Sequence, residues 1–114
     1  MRFRTYVPHD YLMLCYGAYG MTSAASRIIP QENSDMFDLV KAGKLEEARK
    51  IYLSIVCPLN AMAFFSVLDF MAAYKLALYW MGVTKTPTVR KPLIQLDSVM
   101  QRELRGALRF IGKL

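Results

Sequence analysis

One histidine and two cysteines are all the imidazole and thiol chemistry this 114-residue chain holds. A zinc centre built from such residues needs about four ligands at short spacing. Cys15 and Cys57 lie far apart, form no Cys-x-x-Cys pair and have only His9 to join them. A metal site of that kind is therefore excluded, and two free thiols in a reducing compartment is the reading that fits. His9 stands beside Asp10, but adjacent residues of a helix do not face one another. The pair reads as a helix start after Pro8, with no nucleophile set beside it.

Long uninterrupted apolar runs are also missing. The longest hydrophobic stretch, Ala61 to Val83, is broken by Asp69 and Lys75. Each such charge costs about 2.5–3.5 kcal/mol at the centre of a membrane span, so the stretch reads as buried or interface helix and no membrane is expected. Met1-Arg2-Phe3-Arg4 runs into Tyr, Pro, His and Asp within the next residues, which is not the pattern of a secretory signal. Acidic residues are few: nine against fifteen Lys and Arg, for a formal charge of +6. That balance attracts anions, yet the basic residues are scattered until the last helix. There Arg102, Arg105, Arg109 and Lys113 form a stripe without interleaved aromatics. A solvated outer face is the better reading, and no nucleic-acid partner is expected.

Apolar residues, by contrast, make up 54% of the chain. One domain with a core is expected, carrying more apolar surface than a short helical chain buries unaided. Residues 3 to 7 alternate as a short strand does. A short helix follows over residues 9 to 16, closed by the Gly17-Ala18-Tyr19-Gly20 turn, because glycine tolerates the left-handed geometry after a helix end. Met21 to Ala25 reads as a second strand. Pro30 opens a helix with Glu32 and Asp35 near its positive end, and Gly43 stops it. Leu45, Ala48, Ile51, Tyr52 and Ile55 mark the next helix, which Pro58 is expected to kink or end. A third covers roughly Asp69 to Met81. An irregular connection with Pro87 and Pro92 precedes the last helix, where Ser98-Val99-Met100-Gln101 has the form of a capping box.

The order is strand, helix, strand, then about four helices. Two strands make neither a barrel nor a stable open sheet alone. If parallel, they need neighbours on both edges and cover on both faces. The expected fold class is therefore α/β, an incomplete piece that is mostly helical. Residues 1–30 hold the strands and the helix between them, and residues 31–114 the helical part of the same domain.

Four segments in order carry a resemblance. They are Gly17-Ala18-Tyr19-Gly20 with the following Met21 to Pro30; Ala42-Gly43-Lys44-Leu45-Glu46-Glu47-Ala48-Arg49; Lys75 and Gly82 on one helix; and Val89-Arg90-Lys91-Pro92-Leu93. Together they resemble the C-terminal part of the dihydrodipicolinate synthase and N-acetylneuraminate lyase family, the Schiff-base lyases built on a (β/α)8 barrel. The likeness runs from about residue 3 to residue 114. It implies that the two strands are the seventh and eighth of the barrel.

The resemblance further implies an enzyme that forms a Schiff base between a lysine and pyruvate or a related 2-keto or sugar acid. The protonated imine then serves as an electron sink. That lysine and the family's proton-relaying tyrosine would both lie upstream of Met1, so no catalytic residue is assigned in this chain and it is expected to be inactive alone. Lys75 is not a substitute, since a helical lysine among Tyr74, Leu76, Ala77 and Leu78 is expected to snorkel. Thr22 and Ser23, placed where the eighth strand reaches the pocket mouth, are the candidate substrate-binding residues. Followed by Ala24, they look nearer to the sugar-acid dehydratase branches. Arg4-Thr5-Tyr6-Val7 departs from the glycine and acidic residues usual after the seventh strand. Arg27 stands where asparagine is frequent, as a carboxylate-binding guanidinium or, more simply, half of a surface ion pair. The family also implies a cytoplasmic homo-oligomer, commonly a tetramer, with no metal or organic cofactor and with the missing N-terminal barrel part as a partner. The alternative is a free-standing helical protein-interaction module or a catalytically dead remnant.

Overall fold

The computed structural model describes residues 4–6, 9–63 and 70–114. Phe3, Val7, Pro8 and Asp69, which entered the expectations above, lie outside them. The chain divides into two compact units, Met1–Cys57 and Pro58–Leu114.

In the first unit, β1 (Arg4–Tyr6), α1 (Asp10–Cys15) and β2 (Gly20–Thr22) follow one another. The two strands pair in parallel, Arg4 opposite Gly20, Thr5 opposite Met21 and Tyr6 opposite Thr22. A parallel pair needs a crossover, and α1 supplies a short one. Gly17 stops α1 at φ +91°. Its N–H donates to the Leu14 carbonyl and that of Ala18 to Met13, which satisfies carbonyls the helix end would leave bare.

The second strand is shorter and earlier than the Met21–Ala25 read from the sequence. It stops at Thr22, and Ala24–Arg27 wind into a 3-10 helix. Alternation along five residues cannot tell a strand from a strand followed by a tight turn. Ala25, Ile28 and Ile29 are buried there, so the same side chains serve the core from another backbone.

Pro30 is the first residue of α2 (Pro30–Lys41), where its missing N–H costs no hydrogen bond. The helix ends at Gly43, φ +77°, with Gly43 N–H on the Val40 carbonyl at 3.0 Å and Lys44 N–H on Leu39 at 2.8 Å. No described residue stands within 4 Å of where a Cβ would sit at Gly43. The glycine is required by its dihedral angle and not by crowding.

Pro58 does not end the next helix. The chain stays helical through α3 (Leu45–Ile51), a π-helical stretch Tyr52–Val56 and α4 (Cys57–Ala63). A proline removes one ladder donor and crowds the carbonyl four residues back, here Ser54. A wider turn immediately before it opens the ladder at that point. The Ser54 hydroxyl turns back onto the Lys50 carbonyl at 2.6 Å.

The second unit holds α4 from Pro58 onward, α5 (Phe70–Trp80) and α6 (Ser98–Phe110). On α5, Ala72, Ala73, Tyr74, Leu76 and Ala77 are buried; on α6, Leu104, Ala107 and Leu108 are. Residues 81–97 connect the two without regular structure, and the Lys91–Pro92 peptide is cis. The capping expectation needs correction by one residue. Asp97, not Ser98, is the N-cap: its carboxylate accepts from Met100 N–H at 2.8 Å, and Ser98 is already helical. Gln101 reaches back to the Leu96 carbonyl, also at 2.8 Å, so the reciprocal half of a capping box is not made.

Candidate functional site

The candidate site is the carboxyl end of β2 and the turn that follows. Thr22 is the last strand residue and is exposed. Ser23 is extended, φ −122° and ψ 127°, and its carbonyl accepts from Ser26 N–H at 3.2 Å. The Ser23 hydroxyl oxygen is buried and has no hydrogen-bond partner among the described residues. A buried hydroxyl without a partner costs roughly 1–3 kcal/mol, so Ser23 is a group with unused donor and acceptor capacity.

Sequence reasoning missed a second polar group close by. Asn33, in the first turns of α2, is 1% exposed. Its amide nitrogen donates to the Ser26 hydroxyl at 2.8 Å, whereas its amide oxygen has no hydrogen-bond partner among the described residues. Ser26 and Asn33 line a 340 Å³ hollow with Gly20, Met21, Pro30, Ser34 and Phe37. Thr22 and Ser23 do not line it. The structure thus joins Ser26 to Asn33, and it leaves the two predicted hydroxyls outside that hollow. Arg27 is exposed at the end of the 3-10 helix.

Elsewhere in the first unit, Tyr11 and Tyr52 stack with ring centroids 5.1 Å apart. Burial, a hydrogen bond with the Cys57 thiol and the nearby charge of Asp10 push the Tyr52 phenol up to about 12. Burial and a hydrogen bond with Cys15 raise that of Tyr11, whose hydroxyl donates to the Leu45 carbonyl at 3.2 Å. Both phenols keep their protons at neutral pH and are poor bases there. Asp10, read from the sequence only as a helix start, is wholly buried. Lys75 is exposed on α5, with its ammonium on the Thr88 carbonyl at 2.9 Å. Among the described residues no cluster of three His, Cys, Asp or Glu is placed to hold a metal ion. No described helix is long and apolar enough to cross a membrane.

A sequence profile of the dihydrodipicolinate synthetase family matches residues 8–111. The chain belongs to that family. Over 97 residues it is 34% identical to 4-hydroxy-tetrahydrodipicolinate synthase of Sulfurihydrogenibium sp. (strain YO3AOP1), covering 85% of the chain and 32% of that enzyme. Over 111 residues it is 31% identical to the enzyme of the same name from Nostoc punctiforme, covering 94% and 36%. Among solved structures, a monomeric dihydrodipicolinate synthase variant superposes with TM-score 0.84 at 25% identity, covering 93% of the chain and 34% of that protein. The chloride-inhibited, pyruvate-complexed enzyme from Acinetobacter baumannii gives 0.80, likewise at 25% identity, covering 93% and 35%. The chain therefore spans about a third of the length of the relatives it matches. Its fold is that of a corresponding third of these barrel enzymes.

Proposed function

We propose that this chain is the C-terminal third of a Schiff-base lyase or aldolase acting on pyruvate or a related 2-keto acid. On this reading residues 1–30 supply the last two barrel strands, and residues 31–114 the helices that follow within the same domain. The observation that carries the proposal is a family match over residues 8–111 in a chain that spans only about a third of its relatives. The exposed aromatic and aliphatic side chains support it. Tyr16 is 80% and Tyr19 60% exposed around the turn that ends α1, and Phe110 is 72% exposed on α6. Such surface ordinarily has a cover.

Within this reading the imine-forming lysine comes from sequence outside this chain. Thr22 and Ser23 then contribute one side of the substrate pocket. Ser23 has the spare hydrogen-bonding capacity for a carboxylate or keto oxygen, and Thr22 is free of core packing. The complete enzyme would be a soluble, cytoplasmic homo-oligomer.

Complementation tests this. The chain is co-expressed with the preceding two-thirds of a 4-hydroxy-tetrahydrodipicolinate synthase relative, and pyruvate-dependent turnover is measured. Activity in the pair and none in either piece is expected. Turnover by this chain alone would contradict the proposal.

A further inference from the structure

On α6, Ser98, Arg102 and Arg105 recur at i, i+4 and i+7, which sets them along one helix face. With Trp80 at the end of α5 and with Gln101, they line a 290 Å³ hollow in the second unit. Among the described residues no carboxylate lines it. Asp97 is spent on Met100 N–H, and Glu103 borders a different hollow with Pro58, Gly106, Ala107 and Phe110. Among the described residues neither guanidinium has a carboxylate partner.

The geometry favours a specific ligand. The Arg105 guanidinium lies over the Trp80 ring, 4.3 Å from its centroid. That contact anchors the cation beside the ring, and the guanidinium carries five N–H donors suited to an anion. Arg102 stands one turn before it, so two like charges sit at i, i+3, a mildly unfavourable pairing when nothing lies between them. One amide hydrogen of Gln101 is occupied by the Leu96 carbonyl, which leaves the other, and the Ser98 hydroxyl adds a further donor. A compact, doubly charged group is the chemistry that meets both guanidiniums and the hydroxyl at once.

We infer that the hollow between Trp80 and the Ser98–Arg102–Arg105 face of α6 is a binding site for a small dianion, with the phosphate group as its type. None of its residues belongs to the turn after β2, so the site stands or falls independently of the proposed lyase activity.

Trp80 is the sole tryptophan, so its emission reports on Arg105 directly. The full chain is titrated with inorganic phosphate at pH 7.5 (about neutral, with phosphate mostly dianionic), ionic strength being held constant with sodium chloride. A saturable emission change is expected. In Arg102→Gln the midpoint should move to about tenfold higher phosphate, the loss implied by removing a charge-assisted hydrogen bond. Arg109→Gln, outside the hollow, should leave it unchanged. Circular dichroism checks that each variant keeps its helices. An absent or non-saturating response, an equal response to chloride alone, or an unchanged midpoint in folded Arg102→Gln would each overturn the inference. So would an equal loss in Arg109→Gln, which would mean that the whole basic stripe gathers anions without a site.

Discussion

The Lys75 ammonium donates to the Thr88 carbonyl at 2.9 Å, and this bond fixes what that lysine does. It joins α5 to the irregular connection before α6, from the exposed side of a helix whose neighbouring residues Tyr74 and Leu76 are buried. An imine-forming lysine must meet a carbonyl carbon inside the substrate pocket; Lys75 is instead exposed on α5 and bonded to a backbone carbonyl. Lys75→Met is therefore expected to keep the fold at a cost of about 1 kcal/mol or less. Faster amide exchange in residues 83–97, read by hydrogen–deuterium exchange, is the accompanying signature.

The N-cap of α6 separates two adjacent residues. Asp97→Ala removes the carboxylate that holds Met100 N–H and should destabilise the protein by about 1 kcal/mol. Ser98→Ala, one position inside the helix, should be within about 0.5 kcal/mol of neutral. Denaturant unfolding of the two variants side by side checks this, and equal effects would contradict the assignment of the cap.

Gly43→Ala puts a Cβ into open space but onto a backbone at φ +77°. The expected loss is about 1–2 kcal/mol, all of it conformational. Gly43→Asn should lose less, since asparagine visits that region more readily. Thermal melts of both variants supply the comparison.

Alkaline pH acts through Tyr52. Its folded-state value of about 12 stands above the ordinary phenol value near 10, so between those values the folded chain holds a proton that the unfolded chain has released. By linkage, stability is intact below about pH 10 and falls as pH rises towards the folded value. Tyr52→Phe should flatten that part of the stability–pH curve measured by urea unfolding. The stacking on Tyr11 is kept by the phenyl ring.

How much of this was legible in the sequence differs by element. The start and stop of α2 and the stop of α5 follow from Pro30, Gly43 and Gly82, because these signals are local. The continuation through Pro58 was not legible. It depends on a π-helical stretch over Tyr52–Val56, and apolar periodicity near Ile55 looks the same with or without one wider turn. The early end of β2 escaped for a similar reason, since Ala25 is buried in a 3-10 helix as it would be in a strand.

The candidate site was legible in place and not in detail. The Gly17 to Gly20 turn and the residues after it located the segment, and Ser23 has a buried hydroxyl without a hydrogen-bond partner among the described residues. The Ser26–Asn33 pair spans seven positions and two kinds of helix. No spacing rule connects them, and Asn33 looked like one more polar residue in a first helical turn. The stacking of Tyr11 on Tyr52 is likewise a contact between elements distant in sequence.

The central claim is that the chain is part of a Schiff-base enzyme whose imine-forming lysine lies in another part of the barrel. Sodium borohydride trapping with pyruvate, read by intact-protein mass, tests it most directly. The chain alone should show no reduced pyruvate adduct, and the complemented pair should carry it on the other polypeptide. A stoichiometric adduct on this chain, at Lys75 or any other lysine, would contradict the account.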